Sequence, residues 1–159
     1  MTRAPARGLL GRMRTRLALS LSAAALLSCS DGPALRAFTS DGCTLWPDGK
    51  PGDRRLWCDC CFAHDLAYWR GGTEAERKQA DEALRACLVE KTGDTRMATV
   101  MYDGVRVTGS PVFPAWYRWA YGWPYGRGYQ PLNHRERDQA REKLRAYFRA
   151  KPGGYCARK

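Results

Sequence analysis

The run Cys58-Asp59-Cys60-Cys61-Phe62-Ala63-His64-Asp65-Leu66-Ala67-Tyr68 sets an imidazole beside a carboxylate, just after paired cysteines, in a stretch that reads as helix. The chain holds only two histidines, so His64 is a candidate base by scarcity alone. On a helix, residues 61, 64, 65 and 68 occupy one stripe, because offsets of three and four fall on the same face. His64 and Asp65 flank its midline about 100° apart and can serve one pocket from either side. From the adjacent position Asp65 is badly placed to orient the His64 ring. Asp81 can do so, provided a second helix faces the first. A base with an orienting carboxylate, beside a second carboxylate free for a hard cation, is the outline of a hydrolytic site.

Such a site needs two helices at a fixed register. The first is expected from about Leu56 to Arg70, where Gly71-Gly72 stops it. Thr73 then caps the second, with Glu76 completing a capping box, and Gly93 terminates it after about Lys91. So short a connection makes the pair an antiparallel αα-hairpin. Centring the turn between Gly72 and Thr73 makes facing residues sum to about 145. His64 then lies opposite Asp81, and Cys58 or Cys60 lies near Cys87. Tyr68, one turn after His64, can donate its hydroxyl to Asp81. Ala80, Leu84, Cys87 and Leu88 form the buried stripe of the second helix, with Asp81 at its edge. A carboxylate there needs partners. Arg77 or Arg85 would supply them if Asp81 were purely structural.

Asp65 remains free for a cation. Calcium takes carboxylate, carbonyl and water oxygens. The segment 39–55 is a loop rich in turn signals, with Pro47-Asp48-Gly49 and Pro51-Gly52. Within it, Asp41-Gly42-Cys43 offers a second carboxylate and carbonyls able to turn inward. Zinc held by Cys58, Cys60, Cys61 and His64 is the competing metal reading. Ligands crowded on one helix form a tetrahedron with difficulty, and oxidation would remove the thiolates.

The amino terminus reads as an export address. Arg3, Arg7, Arg12, Arg14 and Arg16 precede an apolar stretch from Leu17 to Leu27, too short to span a bilayer, which takes about 20 residues. Leu26-Leu27-Ser28-Cys29 resembles a bacterial lipoprotein cleavage site, so residues 1–28 are expected to be a signal peptide. Cys29 is then a lipid anchor, residues 29–38 a tether, and 39–156 one domain. Ordinary secretory cleavage nearby is the alternative. Of seven cysteines, removing Cys29 leaves six, which suits three disulfides in an oxidising compartment. Cleavage before Cys29 removes 28 of 159 residues, leaving 131, and takes five arginines from the net charge of +11, leaving +6. A basic exported protein can favour anionic lipid surfaces, whereas nucleic acid is disfavoured as a partner by the export signal.

From Met101 to Pro131 glycine, proline and aromatics dominate, which predicts an extended, wrapped segment with at most a short helix at 115–121. It is either a packed cover or a membrane-facing surface. In the second case its Trp and Tyr residues would lie at headgroup level, and Arg106, Arg118 and Arg127 would meet phosphates. His134 to Ala150 is the third helical candidate, with Leu144, Tyr147 and Phe148 on its apolar side and a solvated basic face. The fold expected is mainly α.

Asp41-Gly42-Cys43 with Pro47-Asp48, followed by Cys61-Phe62-Ala63-His64-Asp65 and Tyr68, resembles the secreted phospholipases A2, most closely the small bacterial and fungal type. The resemblance spans roughly residues 39–91 of the sequence. It implies a disulfide-bonded helical hairpin paired as Cys60–Cys87 and Cys43–Cys61, leaving Cys58–Cys156. It implies His64 as general base for sn-2 ester hydrolysis of glycerophospholipids, Asp81 orienting it and Tyr68 supporting Asp81. Calcium would sit on Asp41, Gly42 and Asp65. Ala67 stands where the animal enzymes have a cysteine, the loop lacks their glycine-rich pattern, and the aromatic segment has no counterpart. An inactive envelope lipoprotein that binds lipid or a protein partner is the alternative for such a domain.

Overall fold

The computed structural model describes Met1 and residues 33–157. The rest of the expected signal peptide, and Cys29, lie outside the described residues. Four helices follow: α1 (Cys58–Arg70), α2 (Glu74–Thr92), α3 (Thr95–Thr108) and α4 (His134–Ala150). Among the described residues there is no strand beyond an isolated bridge between Lys50 and Asp53. No helix among them is long and apolar enough to cross a membrane.

The hairpin forms where its punctuation places it. Gly71 ends α1 at φ 70°. Thr73 and Glu76 make the reciprocal capping box of α2, and Gly93 closes it in the left-handed conformation. α1 begins at Cys58, so Leu56 and Trp57 belong to the preceding turn. Leu84 and Leu88 are buried on the inner face of α2, with Ala80 and Cys87 half-buried beside them. The disulfides are Cys43–Cys61, Cys58–Cys156 and Cys60–Cys87, the pairing implied by the resemblance.

α3 departs from the expectation of a wrapped segment beginning at Met101. Asp94 caps it by accepting from the Met97 N–H at 2.9 Å, and α3 packs against α2. Its inner line, Met97, Met101 and Val105, repeats every four residues and joins Trp57, Leu84 and Leu88 in one core cluster. Gly104 inside it did not break the helix, because the apolar face is fixed by packing. The helix expected at 115–121 is absent, and turns run there instead.

The wrapped segment proper covers 109–133, and its inner residues are core. Trp119 and Trp123 are fully buried in a second cluster with Trp69, Tyr68 and Tyr147. A helix leaves its last carbonyls without intrahelical donors. Here Trp123 Nε1 donates to Arg70 O at 2.7 Å, and Trp119 Nε1 donates to Gly72 O in the turn that follows at 3.0 Å. The Gly122 N–H donates to Trp69 O at 3.1 Å. The end of α1 is thus capped by a segment 50 residues downstream.

Residues 33–38 are not the expected tether. Leu35 and Phe38 are 2 % and 3 % exposed, and Phe38 meets Phe62, Trp69 and Tyr147 edge-on. The folded body therefore reaches back at least to Leu35.

Candidate active site

His64, Tyr68 and Asp81 converge in the groove between α1 and α2. His64 Nε2 lies 2.8 Å from Asp81 Oδ1, and Tyr68 Oη donates to the same oxygen at 2.7 Å. Asp81 Oδ2 accepts from Arg106 Nη1 at 2.7 Å, with Arg77 Nε 3.8 Å away. Asp81 is fully buried. Burial opposes its ionisation, but hydrogen bonds from His64, Arg106 and Tyr68 outweigh that and hold its carboxyl below the usual carboxylate range.

Protonation of the imidazole follows from this. An ionised carboxylate only accepts, so Nε2 carries the proton toward Asp81 and Nδ1 keeps its lone pair. Among the described residues Nδ1 has no hydrogen-bond partner. The ring lines a cavity of about 310 Å³ that also contains Asp65. Leu84, Val100, Met101 and Val105 give that cavity an apolar wall, and the exposed loop residues Leu45 and Trp46 line its other side. A base facing an apolar slot can activate water against the carbonyl of a hydrophobic ester.

The network behind Asp81 is dense. Tyr68 Oη accepts from Arg77 Nε at 3.1 Å while donating to Asp81. Burial, then the Asp81 charge, push the Tyr68 phenol well above its ordinary value, so it stays a donor. Arg77 also donates to Tyr129 Oη at 2.7 Å, Val105 O at 2.9 Å and Arg106 O at 2.7 Å. Arg85, the other partner expected for Asp81, stacks instead on Tyr102.

Asp65 is half-buried and accepts from Ser40 Oγ at 2.6 Å. Burial pushes its carboxyl up to about 8, with the Asp41 and Asp48 charges adding and the Ser40 bond opposing. A cation beside it would reverse that balance. The hard-oxygen candidates are Asp65, Gly42 on the same cavity, and Asp41, which is exposed and accepts from Thr44 Oγ1 at 3.2 Å. That set fits calcium and not zinc. Among the described residues no cluster of three or more His, Cys, Asp or Glu side chains converges to hold a metal ion. The cysteines of the zinc reading are all in disulfides.

The loop carrying Asp41 is firmly held. Gly42 sits at φ 82°, and a side chain there would strike the Asp48 carboxylate. Asp48 Oδ1 accepts from the Cys43 N–H at 2.8 Å, and its carbonyl accepts from Trp57 N–H at 3.0 Å. The Cys43–Cys61 bridge fastens the loop to α1 one turn before Asp65.

Ser40, Arg106 and the α3 wall were not singled out for this site from sequence. The Asp94 cap and the Met97-Met101-Val105 spacing were the available signals for α3. Arg118 and Arg127 are committed internally. Arg118 donates to the carbonyls of Trp119, Ala120 and Trp123, and Arg127 forms a bidentate pair with Glu136. Neither is free to meet a phosphate. His134 is an exposed first residue of α4.

Comparison of the chain with protein-family models, with curated proteins and with solved structures finds no match.

Proposed function

We propose that this protein is a phospholipase A2-like, calcium-dependent hydrolase of glycerophospholipid acyl esters. The observation that carries the reading is the His64–Asp81 pair, at 2.8 Å, in which Nε2 is engaged and His64 lines an apolar cavity together with Asp65. His64 Nδ1 takes a proton from a water that attacks the sn-2 carbonyl. Asp81 stabilises the resulting imidazolium, and Tyr68 holds Asp81. The proton then passes to the leaving alkoxide, giving a fatty acid and a lysophospholipid. The apolar wall of α2 and α3 takes the acyl chain. Calcium, held by Asp41, Asp65 and the Gly42 carbonyl, would supply Lewis-acid polarisation of the carbonyl and a counter-charge for the lipid phosphate.

Fatty-acid release from mixed phospholipid vesicles tests the reading. Release is expected with calcium, and its loss with chelator and in His64→Gln. Calcium-supplied protein that releases no fatty acid, or a His64→Gln variant that still does, removes it. Export and anchoring through Cys29 belong to the same proposal. Their support is that the three disulfides consume every cysteine except Cys29. Cys29→Ser is expected to move the protein from the membrane fraction to the soluble one, and unchanged fractionation would remove the anchor.

A further inference from the structure

The Asp81 carboxylate is gripped at both oxygens, and the two grips differ in kind. Oδ1 receives two donors that lie in the hairpin itself, His64 on α1 and Tyr68 one turn later. Oδ2 receives one, Arg106 Nη1, from the last turn of α3. Arg77 Nε stands 3.8 Å off, beyond hydrogen-bond reach. Arg77 cannot step in either, because its three nitrogens already serve Tyr68, Tyr129 and two backbone carbonyls. Oδ2 therefore depends on Arg106 alone.

We propose that Arg106 is a positioning residue for the His64–Asp81 pair, fixing the plane of the Asp81 carboxylate so that Oδ1 stays aimed at His64 Nε2. Three donors spread over two oxygens define that plane, whereas the two on Oδ1 leave the group free to rock about its Cβ–Cγ bond. With Arg106 gone, a buried acceptor is left without a donor. The carboxylate is then free to rotate about its Cβ–Cγ bond, and Oδ1 drifts off the imidazole. Arg106 is itself aimed from behind: Arg77 Nη2 holds the carbonyls of Val105 and Arg106, which pins the end of α3. The order of control runs from Arg77 to the end of α3, to Arg106, to Asp81, to His64. Among the described residues Asp81 is the only side-chain hydrogen-bond partner of Arg106, whose side chain is 27 % exposed. Removing it thus strands no buried cation.

The catalytic part of this role rests on the ester-hydrolase reading, and the test separates the two. Proton NMR of the oxidised protein at low temperature reads the His64 ring N–H bound to Asp81 directly, whatever the protein hydrolyses. His134 is exposed, so its ring proton exchanges with water and does not compete. Wild type should show one protected downfield resonance, Arg106→Gln should lose or broaden it, and Arg106→Lys should keep it. In the vesicle assay, Arg106→Gln should lower kcat about tenfold or more with KM unchanged, and Arg106→Lys should recover most of that loss. Should the Gln variant not fold, Arg106→Met keeps the aliphatic stem and makes the same comparison. A retained resonance with unchanged kcat and only a lowered melting temperature would make Arg106 a plain structural ion pair and overturn the proposal. So would a wild type with no protected resonance. If wild type has the resonance but releases no fatty acid, the hydrolase reading fails while the resonance of the variants still decides the role of Arg106.

Discussion

Tyr68→Phe removes the oxygen that bridges Asp81 and Arg77 and keeps the ring that fills the core. The hydroxyl donates to Asp81 Oδ1 at 2.7 Å and accepts from Arg77 Nε at 3.1 Å, in a place only 3 % exposed. A hydrogen bond to a charged group contributes about 1.5–3 kcal/mol net. Two are lost together, but neither partner is stranded. Asp81 keeps His64 and Arg106, and Arg77 keeps Tyr129 and two carbonyls. The expected loss is therefore about 2–3 kcal/mol, a large part of the roughly 5–15 kcal/mol that holds a domain together. At about 3–4 °C per kcal/mol for a body of this size, the melting temperature should fall by about 6–12 °C. Urea unfolding with the disulfides intact gives the free energy, and an unchanged m-value confirms that the comparison is clean. Hydrolysis should suffer less than tenfold, since the His64–Asp81 contact survives. A stability loss under about 0.5 kcal/mol would refute the reasoning, because it would mean the hydroxyl does not bridge the two charges.

Leu35→Ala should cost about 2–4 kcal/mol in thermal or urea unfolding, since Leu35 is 2 % exposed in the Trp69–Trp119 cluster. A cost below about 0.5 kcal/mol would return residues 33–38 to the status of a tether. Glu136→Gln isolates a charge, because glutamine at that position can preserve the capping box with Asn133. The Arg127 guanidinium holds the Glu136 carboxyl below its ordinary value of 4.5, against a smaller effect of burial. A depressed carboxyl stabilises above its unfolded value and loses that contribution as pH falls. Glu136→Gln should therefore lower stability by about 1 kcal/mol at pH 7, with the difference from wild type shrinking as pH falls below 4.5 in melts across pH. A difference that does not shrink as pH falls would mean the pair is held by packing and not by charge.

The hairpin and the convergence of His64 with Asp81 were legible because they depend on local chemistry. Thr73, Glu76 and the paired glycines fix the turn, and a turn between two helices fixes which residues face each other. Tyr68 followed from one further helical turn. The rest of the network was hidden for a physical reason: Arg106 reaches Asp81 across 25 positions and from a helix that a glycine and flanking composition had disguised. Composition also misrepresented residues 33–38, where Leu35 and Phe38 are too sparse to suggest a core segment until Trp69 and Tyr147 supply the other half. The indole caps on Arg70 and Gly72 belong to the same class, since nothing local to α1 announces donors from a segment so far away. Ser40 was overlooked because one hydroxyl among turn residues carries no pattern of its own.

The Cys58–Cys156 bridge joins residues 98 apart, while the other two span 18 and 27. A chain emerging from its amino terminus can close both short loops long before Cys156 appears. During that interval Cys58 is a free thiol within three positions of Cys60 and Cys61, well placed to attack either nascent bridge. Exchange at this cluster makes scrambled isomers an intrinsic hazard of maturation. Arrival of Cys156 is then a quality checkpoint, since only a segment docked with Gly154 against Phe62 can retire the attacking sulfur. Oxidative refolding should accordingly be limited by pairing of Cys58 with Cys156, and a thiol–disulfide isomerase should speed it.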